Sequence, residues 1–497
     1  MKGVLALTAV GLALRLWDIG RESMWLDEAG RVAIASLPLV DIAHGVAVVE
    51  LSPPLYHYLL HFWMRLAGDG DVAVRLFSAL LVVPTVPICW SIGAAVAGRR
   101  IALGTAGLAA VSPFAVHYGQ EAAMYALLLP LSAAALRSAI GVLSGPRDQR
   151  ARWLVAYVIL AVLSLYTHYY AVFLIGCVAM VGVGHSVARR SLHGIVLWIA
   201  AHAVIGLAFA PWLPVFTQQV GLAASIEEWG GVGVGEAVSQ WAGAILADGA
   251  VDLPSALSVA VVVLGVALGC WRIRSSGPLG WLLAALVVVP LALAIIAGGF
   301  LHSFRERGFL AVAVAPWLLV VVGILGTEAE GRSLRWLSGL QLTKDLGPVV
   351  LGSGLAAAIA VGLMGHFAER KEDWRTAAAL VAASATPPDS IFFVHFGGAL
   401  PFDRYFPGAQ PRVGLPASFD WSDGYTARYR VTMDDVVVRA LPSLSGSRQA
   451  WAVLSHDAGR GSEYLIAALD DWGTRVEDHR LDGVRVLRYL RAASVDS

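Results

Sequence analysis

The chain has 497 residues, of which 57% are hydrophobic and only 14% charged, and its formal net charge is zero. Soluble globular proteins carry about 25% charged residues, so this composition excludes an ordinary soluble domain and indicates an integral membrane protein. A net charge of zero gives no reason to expect a nucleic acid partner. The cysteines Cys89, Cys177 and Cys270 all lie in or beside apolar segments, which predicts small core residues rather than a disulfide framework.

Apolar residues occur in blocks of roughly 17–25, the length with which a helix crosses a bilayer, and these blocks predict about eleven transmembrane helices. The first block has no small-residue cleavage site before the acidic segment that follows it, so we interpret it as a membrane helix rather than a signal peptide. The predicted spans are 3–19, 72–97, 101–117, 121–140, 152–167, 169–187, 192–214, 254–271, 278–301, 308–326 and 346–365.

The short connections between these spans alternate in charge along the chain. Basic connections are expected in the cytoplasm, and the connections between them are then external. The basic set is 98–100, 146–152, 188–190, 272–274 and 331–336 with Lys344. The external set is 20–71, 117–125, 166–170, 215–253 and 302–308. An odd number of spans places the N-terminus in the cytoplasm and the C-terminal region outside, in a multi-pass protein of the plasma membrane.

The sequence changes character after the last predicted span. Residues 1–365 are expected to form a transmembrane domain, and residues 366–497 a small extracytoplasmic α/β domain, because charge and mixed periodicity appear there. That region contains no G-x-G-x-x-G and no P-loop, so no nucleotide site is predicted. Its predicted elements are helices at 371–385 and 462–473, buried strands at 390–396 and 450–456, and a hairpin over 475–490 that turns at Asp482-Gly483.

The first external loop, 20–71, is unusually long for a connection without structure of its own. Within it, "PPLYHYLLHFWMRLA" (53–67) begins with prolines that suit a helix N-terminus and is too short to cross a bilayer. We therefore expect an interfacial helix on the membrane surface, with His57, His61 and Arg65 forming a polar stripe.

Polar residues of the external segments supply the parts of one reaction. A carboxylate can act as general base, paired arginines can bind a phosphate, and aromatic side chains offer flat faces to a sugar. At a membrane surface this combination predicts the transfer of a sugar from an isoprenoid phosphate to an acceptor hydroxyl. The alternative for any single residue is a charged group that snorkels from a helix end into water. The candidate residues are Asp27, Glu28, Arg31, His117, Tyr118, Gln120, Glu121, Tyr125, His168, His302, Arg305 and Arg307.

Four segments and a fainter fifth carry a resemblance to a known family. They are "WLDE" (25–28), "SPPLYHYLLHFWMRLAGDGDVAVRLFSAL" (52–80), "SPFAVHYGQEAAMYALLL" (112–129), "THYY" (167–170) and, less closely, "FRERGFLAVAVAPWLL" (304–319). In order and spacing the chain resembles the GT-C glycosyltransferases of the protein-O-mannosyltransferase and aminoarabinose-transferase type. The four closely matching segments lie within about the first 170 residues.

This resemblance implies a polytopic α-helical fold and transfer from a polyprenyl-phosphate sugar, outside the cytoplasm and with inversion. It implies that Asp27 is the catalytic base and that Glu28 is the second member of an acidic pair. Glu121 matches a further acidic position of the family. The arginine that would hold the donor phosphate matches either Arg305 or Arg307, and both remain candidates. Tyr125 and His168 lie in the matched segments and are further candidates for substrate binding.

Two departures from the family pattern leave the donor sugar open. Ser52 stands where relatives often have a basic residue before Pro-Pro, and Ala123 stands where a "QEARMY" pattern has arginine. The acceptor is a protein, a lipid or a cell-envelope glycan, and membrane lipids surround the spans. No cofactor is firmly predicted, and a divalent cation on Asp27 and Glu28 stays an alternative.

Two other functions compete with this interpretation. A non-catalytic scaffold derived from a transferase would retain the fold and lose turnover. A transporter would need ionisable groups near the bilayer midplane, and the centres of the predicted spans are almost free of them.

Overall fold

The computed structural model describes residues 1–225, 234–246, 255–301, 306–326, 341–417, 431–457 and 459–491. The chain divides into two compact units. The first comprises Met1–Ile19, Ser52–Leu59 and Val74–Glu369, and the second comprises Gly20–Leu51, Leu60–Ala73 and Arg370–Ser497. Segments of the long loop after the first helix therefore belong to the same unit as the C-terminal region.

Helices dominate the chain up to residue 369. They are α1 (Lys2–Leu16), α2 (Leu26–Ser36), α3 (Ile42–Val49), α4 (Leu55–Ala67), α5 (Asp71–Val82), α6 (Thr85–Ala97), α7 (Arg99–Val111), α8 (Pro113–Gln120), α9 (Tyr125–Ser144), α10 (Arg150–Thr167), α11 (Ala171–Ala188), α12 (Leu192–Phe209), α13 (Leu213–Ser225), α14 (Val234–Leu246), α15 (Ser255–Ile273), α16 (Pro278–Leu301), α17 (Val314–Leu325) and α18 (Gln341–Ala368). Short 3-10 turns occur at Arg147–Gln149, Ala210–Trp212 and Glu306–Val312.

Among the described residues, seven helical segments are long and apolar enough to cross a membrane. The count rises to eight if α7 and α8, which meet at 46°, form one broken span. The helices α15 and α17 contribute shorter apolar stretches, Val259–Ile273 and Val314–Leu325. The chain is therefore a polytopic helical membrane protein, and the expected number of about eleven spans stays a prediction. The seven segments are Asp71–Ala97, Tyr125–Ser144, Arg147–Thr167, Ala171–Ala188, Leu192–Gly221, Pro278–Ile296 and Gly347–Ala368.

Small residues allow the helices of the first unit to approach closely. A Cβ atom at Gly269 would overlap the Leu319 carbonyl, and one at Gly323 would overlap the Gly265 carbonyl, so α15 and α17 meet backbone to backbone. Membrane helices associate through such small-residue contacts because lipid provides no hydrophobic driving force between them. The helix α17 is buried along almost its whole length.

The second unit contains a mixed five-stranded sheet with the order β2-β1-β3-β5-β4. Strand β1 pairs in parallel with β2 and β3, and β5 pairs in antiparallel fashion with β3 and β4. The five residues of β1 are all buried, as expected for an apolar strand covered on both faces. Its elements after residue 369 are α19 (Trp374–Ser384), β1 (Ser390–Val394), α20 (Ala399–Tyr405), β2 (Arg412–Leu415), α21 (Met433–Asp435), α22 (Leu441–Ser443), β3 (Gln449–Leu454), α23 (Gly461–Trp472), β4 (Gly473–Arg480) and β5 (Arg485–Arg491), with a 3-10 turn at Phe396–Gly398 and a π-helical segment at Val436–Ala440.

Side chains of β1 alternate between two apolar cores, one on each face of this sheet. Phe392 packs in one core with Leu487 and Tyr489, and Phe393 packs in the other with Trp374 and Trp451. The hairpin between β4 and β5 turns at Gly483, whose φ of +65° is a conformation that glycine adopts without strain.

Several elements lie where the sequence predicts them, while the first loop differs. Helix α4 begins and ends within two residues of its expected bounds. Its His57 and His61 are buried, however, whereas Phe62 and Leu66 are exposed, so the histidines do not form a solvent-facing stripe. Helices α2 and α3 were not expected from the sequence of the loop.

Candidate active site

The acidic pair Asp27 and Glu28 lies in the first turn of α2. The predicted external segment 20–71 thus has helical structure at Asp27. Acidic side chains are favourable in the first turn of a helix because the unpaired N–H groups there carry partial positive charge. The local sequence thus suits a helix start, even though the preceding Trp25 provides no side-chain cap.

Arg31 links two carboxylates of the second unit. Its Nη2 lies 3.2 Å from Asp27 Oδ2, one helical turn away, and its Nε lies 3.3 Å from Glu50 Oε1. The Arg31 side chain is only 4% exposed, whereas the Asp27 side chain is 36% exposed. A buried guanidinium therefore holds a carboxylate that remains accessible to solvent, and burial strengthens the attraction between them.

Glu28 is fully buried and has a different cationic neighbour. Lys371 Nζ lies 3.8 Å from Glu28 Oε2 and 5.6 Å from the centre of the Trp25 ring. Each member of the acidic pair thus has its own basic partner, which offsets the repulsion between adjacent carboxylates.

Glu372 is a residue that sequence reasoning missed. Its carboxylate accepts hydrogen bonds from the Leu26 backbone N–H, at 3.3 Å, and from Trp374 Nε1, at 2.6 Å. His456 Nε2 lies 2.9 Å from the other carboxylate oxygen. Glu372 therefore binds the first backbone amide of α2, as a capping side chain would, from 346 residues away in sequence.

Asp71 holds the segment that leads into α2. Its carboxylate accepts hydrogen bonds from Arg375 Nη2 at 2.6 Å, Arg404 Nε at 2.8 Å and the Tyr405 hydroxyl at 2.6 Å. The same hydroxyl accepts from the Met24 backbone N–H at 2.8 Å. Burial, together with the hydrogen bond to Asp71, raises the pKa of Tyr405 to about 12, so the phenol stays a neutral donor.

In the first unit, Glu121 follows α8 and is buried rather than exposed in a surface loop. Its Oε2 lies 3.4 Å from Nε2 of His117, which is one turn earlier. Ala122, Ala123 and Met124 are buried as well. The predicted connection 117–125 is therefore largely buried: four of its residues belong to α8 and the rest pack inside the unit.

Tyr125 lies among aromatic and basic neighbours. Its ring centre is 4.8 Å from that of Tyr118 and 5.2 Å from that of His168. The guanidinium carbon of Arg307 lies 5.7 Å from the centre of the Tyr125 ring. The structure therefore brings three predicted residues, Tyr125, His168 and Arg307, into one cluster within the first unit. Arg305 lies outside the described residues.

One group of possible metal ligands occurs among the residues that the structure describes. A ring nitrogen of His117, a ring nitrogen of His366 and a carboxylate oxygen of Glu369 all lie within 4.8 Å of one another. His366 and Glu369 carried no sequence signal, and both lie just after the last predicted span, 346–365. Asp27 and Glu28, the residues that the sequence left as alternative cation ligands, have Arg31 and Lys371 beside them.

Comparisons with known proteins agree with this architecture. A model of the dolichyl-phosphate-mannose-protein mannosyltransferase family matches residues 52–214. The structure of ArnT from Cupriavidus metallidurans in the apo state is similar over 98% of this chain and 97% of its own, with 17% identity and a TM-score of 0.61. The same protein bound to undecaprenyl phosphate gives 16% identity, the same coverage and a TM-score of 0.57.

A more distant structural relative is the archaeal oligosaccharyltransferase AglB from Archaeoglobus fulgidus, solved with an inhibitory peptide and a dolichol-phosphate. It is 10% identical, with a TM-score of 0.53, over 100% of this chain and 74% of its own. No significant match occurs among curated protein sequences. The chain is thus a polytopic membrane protein with the GT-C fold, and the predicted resemblance to that superfamily is confirmed.

Proposed function

We propose that this protein is a glycosyltransferase that moves a sugar from a polyprenyl-phosphate donor to an acceptor hydroxyl on the outer face of the plasma membrane. The GT-C fold and the mannosyltransferase family match support the reaction class. Solved relatives contain undecaprenyl phosphate or dolichol-phosphate, which supports a polyprenyl-phosphate donor here. The proposed orientation has the N-terminus in the cytoplasm and residues 366–497 outside, as the alternation of basic connections predicts.

The observation that carries the proposal is the environment of Asp27. Its carboxylate is accessible to solvent, while Glu28 and Arg31 on the same turn are buried. A base must reach a hydroxyl that arrives from solution, and among these three side chains Asp27 meets that need. Arg31 holds the Asp27 carboxylate in one position, so the reaction does not bear the entropic cost of positioning the base.

The proposed chemistry is a single displacement with inversion. The acceptor oxygen attacks the anomeric carbon, and its proton passes to Asp27. The bond between the anomeric carbon and the phosphate oxygen breaks, and its electron pair leaves with the polyprenyl phosphate. Arg305 or Arg307 is proposed to stabilise the developing charge on that phosphate.

The contacts of Arg307 support its candidacy in particular. A guanidinium beside the aromatic rings of Tyr125 and His168 combines a phosphate-binding charge with flat faces on which a sugar can stack. We propose that Glu121, with His117 at its carboxylate, takes part in binding the substrate. The donor sugar, whether hexose or pentose, stays open.

The first experiment measures sugar transfer in membranes with a panel of radiolabelled polyprenyl-phosphate sugars. General-base catalysis contributes about 10²–10⁴ in rate, so Asp27→Asn is expected to lower transfer by that factor at equal protein abundance. Asp41→Asn is the matched control, because Asp41 is an exposed residue just beyond α2, and it should keep wild-type activity. Equal activity of both variants would refute the role of Asp27.

Binding of the lipid separates the donor site from the base. Arg305→Ala and Arg307→Ala, tested one at a time, should show which arginine holds the phosphate, through weaker binding of a fluorescent polyprenyl phosphate. Asp27→Asn should bind that lipid as the wild type does. If the wild type binds the lipid but transfers no sugar from any donor, the chain is a non-catalytic scaffold, an alternative that the departures at Ser52 and Ala123 leave open.

A further inference from the structure

We propose that His117, His366 and Glu369 form a binding site for one divalent transition metal ion of the Zn²⁺ type. One ligand atom from each residue lies within 4.8 Å of the other two. All three residues belong to the first unit. The proposed ligands do not include Asp27 or Glu28, and the proposal does not depend on the proposed transfer reaction.

Two elements of the first unit supply the ligands. His117 lies in the second half of α8, and His366 lies in the last turn of α18. Glu369 follows that helix and keeps a helical hydrogen bond, from its backbone N–H to the Gly365 carbonyl at 2.9 Å. Residues three apart on a helix share a face, so the His366 and Glu369 side chains project together.

The hydrogen bonds of Gln120 define which nitrogen of His366 can bind a metal. The Gln120 amide nitrogen donates to the backbone carbonyls of Leu14, Arg15 and Trp17, at 3.2, 3.3 and 2.7 Å. Carbonyl oxygens only accept, so the amide nitrogen must face them and the amide oxygen must face the other way. That oxygen lies 2.7 Å from His366 Nε2.

A hydrogen bond to an amide oxygen requires a proton on His366 Nε2. In the neutral imidazole, Nδ1 then carries the lone pair, which is the form that coordinates a metal. Histidine ligands in metal sites usually donate their other N–H to an oxygen in the same way, which fixes the tautomer and the ring orientation. Gln120 therefore acts as a positioning residue for His366.

His117 has the equivalent arrangement with a carboxylate. Its Nε2 lies 3.4 Å from Glu121 Oε2, and an ionised carboxylate can only accept, so a proton on Nε2 is favoured. The two imidazole rings lie 5.2 Å apart between centres and are tilted by 58°. Both histidines thus have an oxygen acceptor at Nε2, and a metal on His117 would also constrain Glu121.

The ligand set selects the kind of metal. Two imidazoles and one carboxylate suit Zn²⁺, which binds such groups at about 2.0–2.2 Å and keeps a fourth position for water or a substrate oxygen. Tetrahedral coordination at those lengths needs ligand atoms roughly 3.3–3.5 Å apart. The ligand atoms now lie within 4.8 Å of one another, so closure requires movements of at most about 1.5 Å. Rotation of the exposed Glu369 side chain supplies this movement for its own oxygen.

The test uses the full-length protein in detergent, with any polyhistidine tag removed and metal stripped by EDTA. Isothermal titration with Zn²⁺ should give one site per chain. X-ray absorption of the zinc-loaded wild type should show two imidazole ligands and oxygen. Glu369→Gln should weaken binding at least tenfold, and His366→Ala should abolish it. His193→Ala, which removes an exposed histidine elsewhere in the first unit, should bind as the wild type does.

Three outcomes would overturn the proposal: no stoichiometric binding by the wild type, an absorption spectrum without two imidazoles, or equal affinity of Glu369→Gln and wild type. The Glu369→Gln variant alters an exposed side chain, so it remains informative if His366→Ala fails to fold. Size-exclusion profiles and melting temperatures of the metal-free variants establish which ones are folded.

Discussion

His395 gives the second unit a predicted sensitivity to acid. The side chain is only 5% exposed, and its Nδ1 accepts a hydrogen bond from the Gly397 backbone N–H at 3.2 Å. Burial, with the nearby charge of His456, lowers the pKa of His395 from 6.5 to about 4. A Cβ atom at Gly397 would lie 3.1 Å from Leu26 Cδ1, so this turn adjoins the start of α2.

The direction of the effect follows from where the proton binds. In the unfolded chain His395 takes up a proton below pH 6.5, whereas in the folded protein it stays neutral until about pH 4. The unfolded state therefore binds more protons in this window, and the free energy of unfolding falls as the pH drops from 6.5 to 4. At 1.36 kcal/mol per pKa unit, the loss is about 3 kcal/mol.

The variant His395→Asn removes the titration but keeps a side-chain acceptor for the Gly397 N–H. Its melting temperature at pH 7 is expected to fall because the smaller side chain leaves a gap. Between pH 7 and pH 4.5, however, the melting temperature of the wild type should fall by about 5–10 °C more than that of the variant, for a unit of this size.

Intrinsic tryptophan fluorescence of the detergent-solubilised protein measures both melting temperatures across the pH range. His44→Asn is the matched control, since His44 is an exposed histidine of the same unit, and its pH profile should follow that of the wild type. A His395→Asn profile parallel to the wild type would show that His395 does not stay neutral in the folded protein.

Three further substitutions test contacts in the second unit. Asp71→Asn should lower the free energy of unfolding by about 2–4 kcal/mol, because Arg375 and the other donors to Asp71 lose a charged acceptor. A melting temperature unchanged from the wild type would contradict this. Glu372→Gln should lower sugar transfer severalfold without weakening lipid binding, because it weakens the capping of α2 at Leu26; unchanged transfer would contradict it. Phe393→Ala should cost about 3–5 kcal/mol from a fully buried site, measured by thermal melts, and a loss below 1 kcal/mol would refute the packing argument.

Much of the helical architecture could be predicted from periodicity alone. The windows 152–167 and 278–301 correspond closely to α10 and α16, because apolar runs of membrane length have few alternatives to a helix. The hairpin at Gly483 was equally predictable, since Asp-Gly between two strand-like runs favours a tight turn.

The first loop and the segment after α8 were less predictable. The short helices of the first loop are stabilised by tertiary contacts, as shown by Glu372 at the Leu26 amide, and intrinsic propensity is a weak guide to such segments. Glu121 is polar by sequence but buried in the structure, because His117 lies one turn before it and provides a partner for its carboxylate.

The sequence by itself determined the membrane class, the resemblance to the GT-C superfamily and the candidate base Asp27, since these depend on composition and on local order of residues. The tertiary structure decided which side chains contact the candidate site residues. Lys371 and Glu372 meet Glu28 and the start of α2 across more than three hundred residues of chain, and His366 meets His117 across more than two hundred. Pairings at such separations depend on how helices and strands pack, and one sequence carries no local pattern that records them.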